Sequence, residues 1–328
     1  MRTALIVVVS ALIFAILAVL PQYLKDLRSA KKALSLFRTE IVDTPITAIE
    51  YYRTGQGNPI LISHGITGGP DQGLGLAKCY IGGEYDLIAV SRFGYLGSPL
   101  PKDSSPDAQA DVYKHLIDKL GIDKTFIFGN SAGGTSAIKF ALKYPDRCLG
   151  LILVSSIVPS KVKSVPKAVM QTIFGSNFIY WSFVNLMGDN MLSFAGVPKA
   201  NFKGLTRQEK DVLLNDIIMG GFPIESRTKG IINDMYVSNP DINNNYAFEQ
   251  IKVPVLMFSA MDDTLCSYQE SLAVSKKISI IDFVEFEKGG HIILGNENEI
   301  QKRIANFIET IFQQEVIKRG KYERKANG

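Results

Sequence analysis

The chain has few of the residues on which small or metal-built proteins depend. Its 328 residues hold only three cysteines, three histidines and one tryptophan. Cys79, Cys148 and Cys266 are odd in number and widely spaced, which excludes a disulfide framework, and no C-x-x-C pair suggests zinc or redox chemistry. Net charge is modest at +4, and five basic residues (Lys318, Arg319, Lys321, Arg324 and Lys325) crowd the last eleven positions. The remainder is close to neutral, so no nucleic-acid-binding face is expected. The basic tail, 316–328, reads as a solvated terminus, or as a lipid-attracted segment if the chain is held at a membrane.

One segment lacks charge altogether. From Ala4 to Leu20 seventeen residues run ALIVVVSALIFAILAVL, with Ser10 the only polar one. That is the lower edge of a bilayer-spanning helix. No small-x-small cleavage site follows it, so an uncleaved single-pass anchor over 1–21 is the reading preferred to a cleaved secretory signal or a buried core helix. Arg2 precedes the run, while Lys25, Arg28, Lys31 and Lys32 follow it. This leans towards a cytoplasmic domain and leaves export open. In 22–45, Leu24, Leu27, Leu34 and Phe37 suit one face of an amphipathic connecting helix.

From about residue 46 short apolar runs alternate with helix-length stretches. ITAIEYY at 46–52, PILIS at 59–63, DLIAVS at 86–91, KTFIFG at 124–129, LGLILVSS at 149–156, VPVLMFSA at 253–260 and SIIDFVEF at 279–286 read as strands. Helices are expected from Pro106 to Leu120, Ala132 to Tyr144 and Glu299 to Phe312. Continuous Val/Ile/Leu runs between helices predict an α/β fold, a mostly parallel sheet covered on both faces. Between Ser156 and Lys252 no strand is legible, and aromatics crowd Phe174 to Phe183. A structureless loop of that length does not fit a compact domain, so 157–250 reads as a helical cap inserted between strands 6 and 7 of a domain spanning 46–315.

The chemistry centres on Gly129-Asn-Ser131-Ala-Gly133-Gly134, directly after an apolar strand and before a helix. A sharp strand-to-helix turn lifts a Ser hydroxyl from the sheet edge, and flanking glycines let backbones cross closely. Ser131 is therefore the candidate nucleophile. In this arrangement the order is Ser, acid, His, which leaves His291 in Gly289-Gly290-His291 as general base. His64 reads as a structural hydrogen-bonder, and His115 as a solvated helix residue. Asp262 and Asp263, after the strand ending at Ala260, are both candidates for the acid, with Asp263 preferred. The backbone N–H groups of Ile66, in His64-Gly65-Ile66-Thr67-Gly68-Gly69, and of Ala132 are the candidate oxyanion donors.

These residues together resemble the α/β-hydrolase family, in its branch of capped single-domain serine hydrolases. The resemblance runs from about Ile46 to Phe312. It rests on HGITGG at 64–69, SRFGYLGSPLP at 91–101, GNSAGG at 129–134, YPDR at 144–147, PVLMFSAMDD at 254–263 and GGH at 289–291. It implies an oxyanion role for Ile66, the nucleophile at Ser131, and a triad completed by Asp263 and His291. Two departures, Ala260 for Gly and Thr264 for Pro, loosen the choice between Asp262 and Asp263. GNSAGG is similar to the elbow of carbon–carbon-bond hydrolases of ring-cleavage products and of many esterases.

The expected activity is hydrolysis of a carboxylic ester, thioester or related carbonyl through an acyl-enzyme. Carbon–carbon bond hydrolysis and acyl transfer are alternatives on the same triad, and a non-catalytic binding protein of this fold is a third. Such hydrolysis needs no metal or organic cofactor. The aromatic cap suggests a small-molecule substrate with an apolar acyl or aryl group.

Overall fold

A computed structural model describes residues 2–160, 165–244 and 246–326. Its frame is an eight-stranded sheet: β1 (Glu40–Asp43), β2 (Ala48–Thr54), β3 (Pro59–Ser63), β4 (Asp86–Val90), β5 (Thr125–Asn130), β6 (Cys148–Val154), β7 (Val255–Ala260) and β8 (Ile281–Phe286). The spatial order is β1-β2-β4-β3-β5-β6-β7-β8. Strand β2 pairs antiparallel with both β1 and β4, and the remaining pairs, from β4–β3 to β7–β8, are parallel. Strands β4, β5 and β7 are buried at every position, as expected for strands with both faces covered.

Helices α2 (Pro70–Tyr80), α3 (Pro106–Lys119), α4 (Gly133–Lys143), α12 (Tyr268–Ser275) and α13 (Glu297–Ala326) flank the sheet. On one face Leu61, Ile127 and Leu151 pack with Val112 and Leu116 of α3 and Ile138 and Phe140 of α4. On the other, Ile60, Phe128 and Leu256 pack with Leu74 of α2 and Ile300 and Ile304 of α13. Strand β3 lies between β4 and β5, so the chain reverses its direction of sheet growth there. Such a switch leaves a crevice at the carboxyl ends of the strands. The segments holding His64, Ser131, Asp263 and His291 all follow strands at this edge.

Between β6 and β7 the described residues form helices, turns and loops, with no strand. These include α5 (Lys167–Phe174), α6 (Asn177–Met187), α7 (Asn190–Phe194), α8 (Lys199–Phe202), α9 (Arg207–Leu213), α10 (Thr228–Asn233) and α11 (Asn239–Asp241). Their core of Tyr180, Trp181, Val184, Ile224 and Ile231 packs on Tyr95 and Ile66 of the strand-edge loops.

Both ends differ from the sequence reading. One helix, α1 (Arg2–Leu36), runs through Pro21, where a break between anchor and connecting helix is expected. That connecting helix was expected to reach 45, but it stops at Leu36 and residues 40–43 form β1 instead. The strand depends on non-local pairing, with Glu40 opposite Tyr51, and Tyr51 donates to the Glu40 carboxylate at 2.7 Å. The second half of α1 lies on the cap: Trp181 donates to Asp26 at 2.9 Å, and Tyr23 meets Phe178 edge-to-face at 5.1 Å. Helix α13 continues to Ala326, past the expected end at Phe312, and Lys124 pairs with Glu315 just beyond that point. The side chains of the basic tail from Lys318 onward lie outside the described residues, as do those of 4, 5, 8, 11–13 and 15 in the apolar run. Among the described residues no helix is long and apolar enough to cross a membrane.

Candidate active site

The turn between β5 and α4 holds Ser131 in a left-handed backbone conformation, φ 49°. Non-glycine residues adopt that region only where the surroundings impose it. Here they do. A Cβ at Gly133 would lie 2.1 Å from the Ser63 carbonyl oxygen, and one at Gly129 would lie 2.8 Å from Gly134 Cα. Helix α4 therefore starts hard against β3, and the Ser131 side chain is directed to the strand edge.

There His291 meets it. The hydroxyl Oγ of Ser131 lies 2.9 Å from His291 Nε2, and His291 Nδ1 lies 2.9 Å from Asp263 Oδ2. A carboxylate can only accept, so Nδ1 carries the ring proton and Nε2 is left to accept from the serine. The other oxygen of Asp263 accepts from the N–H groups of Leu265 and Cys266 at 2.8 and 3.0 Å. Asp262 is turned elsewhere: it accepts from Asn201 at 2.7 Å and from the Gly290 N–H at 2.8 Å. The two adjacent aspartates thus divide their work, one holding the imidazole and the other tying the loop that carries it to the cap.

Burial favours the neutral His291 ring, while the Cys266 sulfur and the Asp263 carboxylate oppose this and shift its pKa upward. Burial also pushes the Cys266 thiol up. The sulfur is therefore uncharged at ordinary pH, and the upward pull that persists comes from Asp263. The sequence offered no signal for Cys266, because its place beside the ring arises only when two distant loops meet. Atoms of Asp263, Cys266 and His291 all lie within 4.8 Å of one another and could hold a metal ion; two of them are already bonded to each other.

The turn after β3 closes the other side. A Cβ on Gly65 would lie 3.3 Å from Ser131 Cβ, so this turn stands directly against the elbow. His64 is buried, accepts from the Arg92 N–H at 3.1 Å through Nε2, and donates from Nδ1 to the Gly65 carbonyl at 2.7 Å. Burial and the Arg92 charge hold its pKa well below the usual histidine range, so the ring is neutral. It is a structural strut. Among the described residues neither the Ile66 nor the Ala132 N–H has a hydrogen-bond partner. His115 sits half-buried on α3, away from this edge.

Arg227 has no local sequence signal and stands in the cap with its side chain fully buried. It donates to the Gly68 carbonyl at 2.6 Å and to both carboxylate oxygens of Asp71, at 3.1 and 2.6 Å.

Comparison with known proteins gives a consistent picture. A family described as alpha/beta hydrolase fold matches residues 58–297. A 2-hydroxy-6-oxononadienedioate/2-hydroxy-6-oxononatrienedioate hydrolase of Paraburkholderia phymatum is 25% identical over 207 residues, 62% of this chain and 69% of that protein. Two further relatives are matched over only 42% of their own length. Among solved structures, a thermophilic esterase from Thermogutta terrifontis is similar with TM-score 0.64 and 19% identity, covering 84% of this chain and 99% of its own. A membrane phospholipase A described as a bacterial virulence factor is similar with TM-score 0.58 and 18% identity, covering 95% of this chain and 99% of its own.

Proposed function

Because the chain belongs to the α/β-hydrolase fold family, we propose that it is a serine hydrolase cleaving a carboxylic ester, thioester or related carbonyl through an acyl-enzyme on Ser131. The observation that carries this reading is the unbroken relay of 2.9 Å contacts from Ser131 to His291 to Asp263. Ser131 Oγ attacks the carbonyl carbon as its proton passes to His291 Nε2. The oxygen then carries negative charge, received by the N–H groups of Ile66 and Ala132, donors typically worth about 3 kcal/mol each. His291 returns the proton to the leaving oxygen or sulfur, and water repeats the sequence to free the acid. Asp263 holds the ring tautomer and favours the imidazolium in both halves.

The apolar cluster of the cap reaches Ile66, which supports an acyl or aryl substrate of low polarity. Residues 1–21 we read as a single-pass anchor. The uncharged run from Ala4 to Leu20 supports this.

A second reading, carbon–carbon bond hydrolysis, draws on the curated relatives, whose names favour it over ester cleavage. Against it, the substrates in those names carry one carboxylate, in the phenyl dienoate, or two, in the dienedioate. Arg92 and Arg227, the buried arginines among the described residues, are each paired with an aspartate, Asp234 and Asp71.

The test is labelling by a fluorophosphonate probe, followed by turnover of p-nitrophenyl esters of rising chain length beside a 2-hydroxy-6-oxo-dienoate. The expected result is labelling and ester turnover in wild type and neither in Ser131→Ala. Turnover that survives in Ser131→Ala overturns the serine reading. A higher kcat/KM for the dienoate transfers it to carbon–carbon cleavage.

A further inference from the structure

The oxyanion donor Ile66 sits in a four-residue turn whose ends are held by two different parts of the molecule. The Gly68 N–H donates to the Gly65 carbonyl at 3.2 Å, and Thr67 within the turn has φ 63°. A turn with a non-glycine residue in the left-handed region is under strain and keeps its shape only if its surroundings hold it. On the domain side, His64 Nδ1 donates to the Gly65 carbonyl. On the cap side, Arg227 donates to the Gly68 carbonyl and is doubly bonded to Asp71 in the first turn of α2. The two carbonyls that bracket Ile66 are therefore both engaged, while its own N–H is unpartnered among the described residues.

Close packing shows that the cap was fitted to this turn. A Cβ on Gly69 would stand 2.6 Å from Arg227 Nη1, and one on Gly221 of the cap would stand 2.9 Å from the Thr67 carbonyl oxygen. The segment around Arg227 is itself fastened to the loop after β4. The Leu96 N–H donates to the Ser226 carbonyl at 2.8 Å, and the Gly230 N–H to the Gly94 carbonyl at 2.9 Å. Arg227 also caps the start of α10 as the residue just before it, so its guanidinium moves with the cap. A planar fork with both arms on one carboxylate and one arm on a carbonyl fixes distance and angle together, which a lysine cannot do.

The geometry points to Arg227 as a positioning residue that sets the oxyanion turn from the cap, so that the Ile66 N–H is aimed at the developing oxyanion only while the cap is seated. This rests on the serine-hydrolase reading and adds to it a coupling: the position of the cap controls transition-state stabilisation rather than substrate capture alone.

The test uses the full-length protein in detergent, with p-nitrophenyl butyrate as substrate and burst titration to count working sites. Arg227→Met is compared with Arg227→Lys and Asp71→Asn, the last two keeping enough polarity to fold should the first fail. In each, kcat per titrated site, KM and the affinity for an alkyl trifluoromethyl ketone are measured, since the ketone adduct places an oxyanion in the hole whereas the bound ester does not. For Arg227→Met, kcat should fall by about ten- to hundredfold, the scale of a misaligned donor. Ketone affinity should fall in parallel and KM should stay within about threefold. Lysine should restore part of both, and Asp71→Asn should lower both by a smaller factor. If kcat per site and ketone affinity hold steady while only the melting temperature drops, Arg227 is merely structural and the proposal is overturned. A rise in KM alone, or a loss of kcat without loss of ketone affinity, overturns it too. Turnover that persists in Ser131→Ala would instead bring down the underlying hydrolase reading, so the two failures are told apart.

Discussion

The backbone N–H of His291 donates to the carbonyl of Gly196, 2.9 Å away in the cap. The candidate base is thus suspended between its own strand-end loop and a cap residue. Gly196 has φ 80°, and a Cβ there would lie 2.6 Å from His291 Cβ and 2.8 Å from Leu265 Cγ. Glycine is required for this approach.

Gly196→Ala should therefore displace the imidazole. Strain at a left-handed position costs about 1–3 kcal/mol, and a shift of about 1 Å at a reacting group lowers the rate by about a hundredfold. The expected result is a lower melting temperature together with a fall in kcat per folded molecule. Unchanged kcat with normal Ser131 labelling would show that the Gly196 contact does not position the base.

The acid limb of the pH profile should report the Asp263–His291 pair. Since Asp263 raises the ring's pKa, the imidazolium persists to higher pH than in a free histidine, and it cannot accept the serine proton. Activity should rise with pH through a midpoint above about 6.5, the ordinary histidine value. Asp263→Asn removes the carboxylate, so the midpoint should move down while kcat falls by about a thousandfold or more. Asp262→Asn should leave the midpoint in place, because its contacts are to Asn201 and Gly290. A profile that shifts with Asp262 and not with Asp263 would reverse the assignment.

If residues 4–20 anchor the chain, full-length protein expressed in bacteria should sediment with membranes and resist alkaline carbonate washing. Protein lacking residues 1–20 should be found in the soluble fraction with its esterase activity retained. Full-length chain released by carbonate would count against an anchor.

Legibility in the sequence followed the range over which each feature is determined. The Ser131 elbow is local: Gly129, Gly133 and the flanking strand and helix lie within a few residues, and each glycine answers a contact that a Cβ would violate. His291 could be found because so few histidines compete with it. Asp262 and Asp263 could not be separated with certainty, since both follow the same strand and only the path of the loop decides which meets the ring. Strand β1 was missed because its four residues gain their hydrogen bonds from β2 and carry no periodic pattern of their own. Arg227 and Cys266 were missed for a related reason. The partners of Arg227 lie 156 and 159 positions away, and an arginine in a helical insertion looks like any other.

The junction of α1 with the cap bears on how the protein can be trimmed for crystallisation or assay. Tyr23, Leu27 and Ala30 supply one wall of the cap's apolar interior, and Asp26 takes the only indole proton in the chain. The greasy stretch ahead of Pro21 can be cut away as a handle, but the turns after it belong to the catalytic body. A shortened gene that starts past Leu36 would strip the lining from Trp181 and Phe178 and yield a sticky, half-uncovered lid.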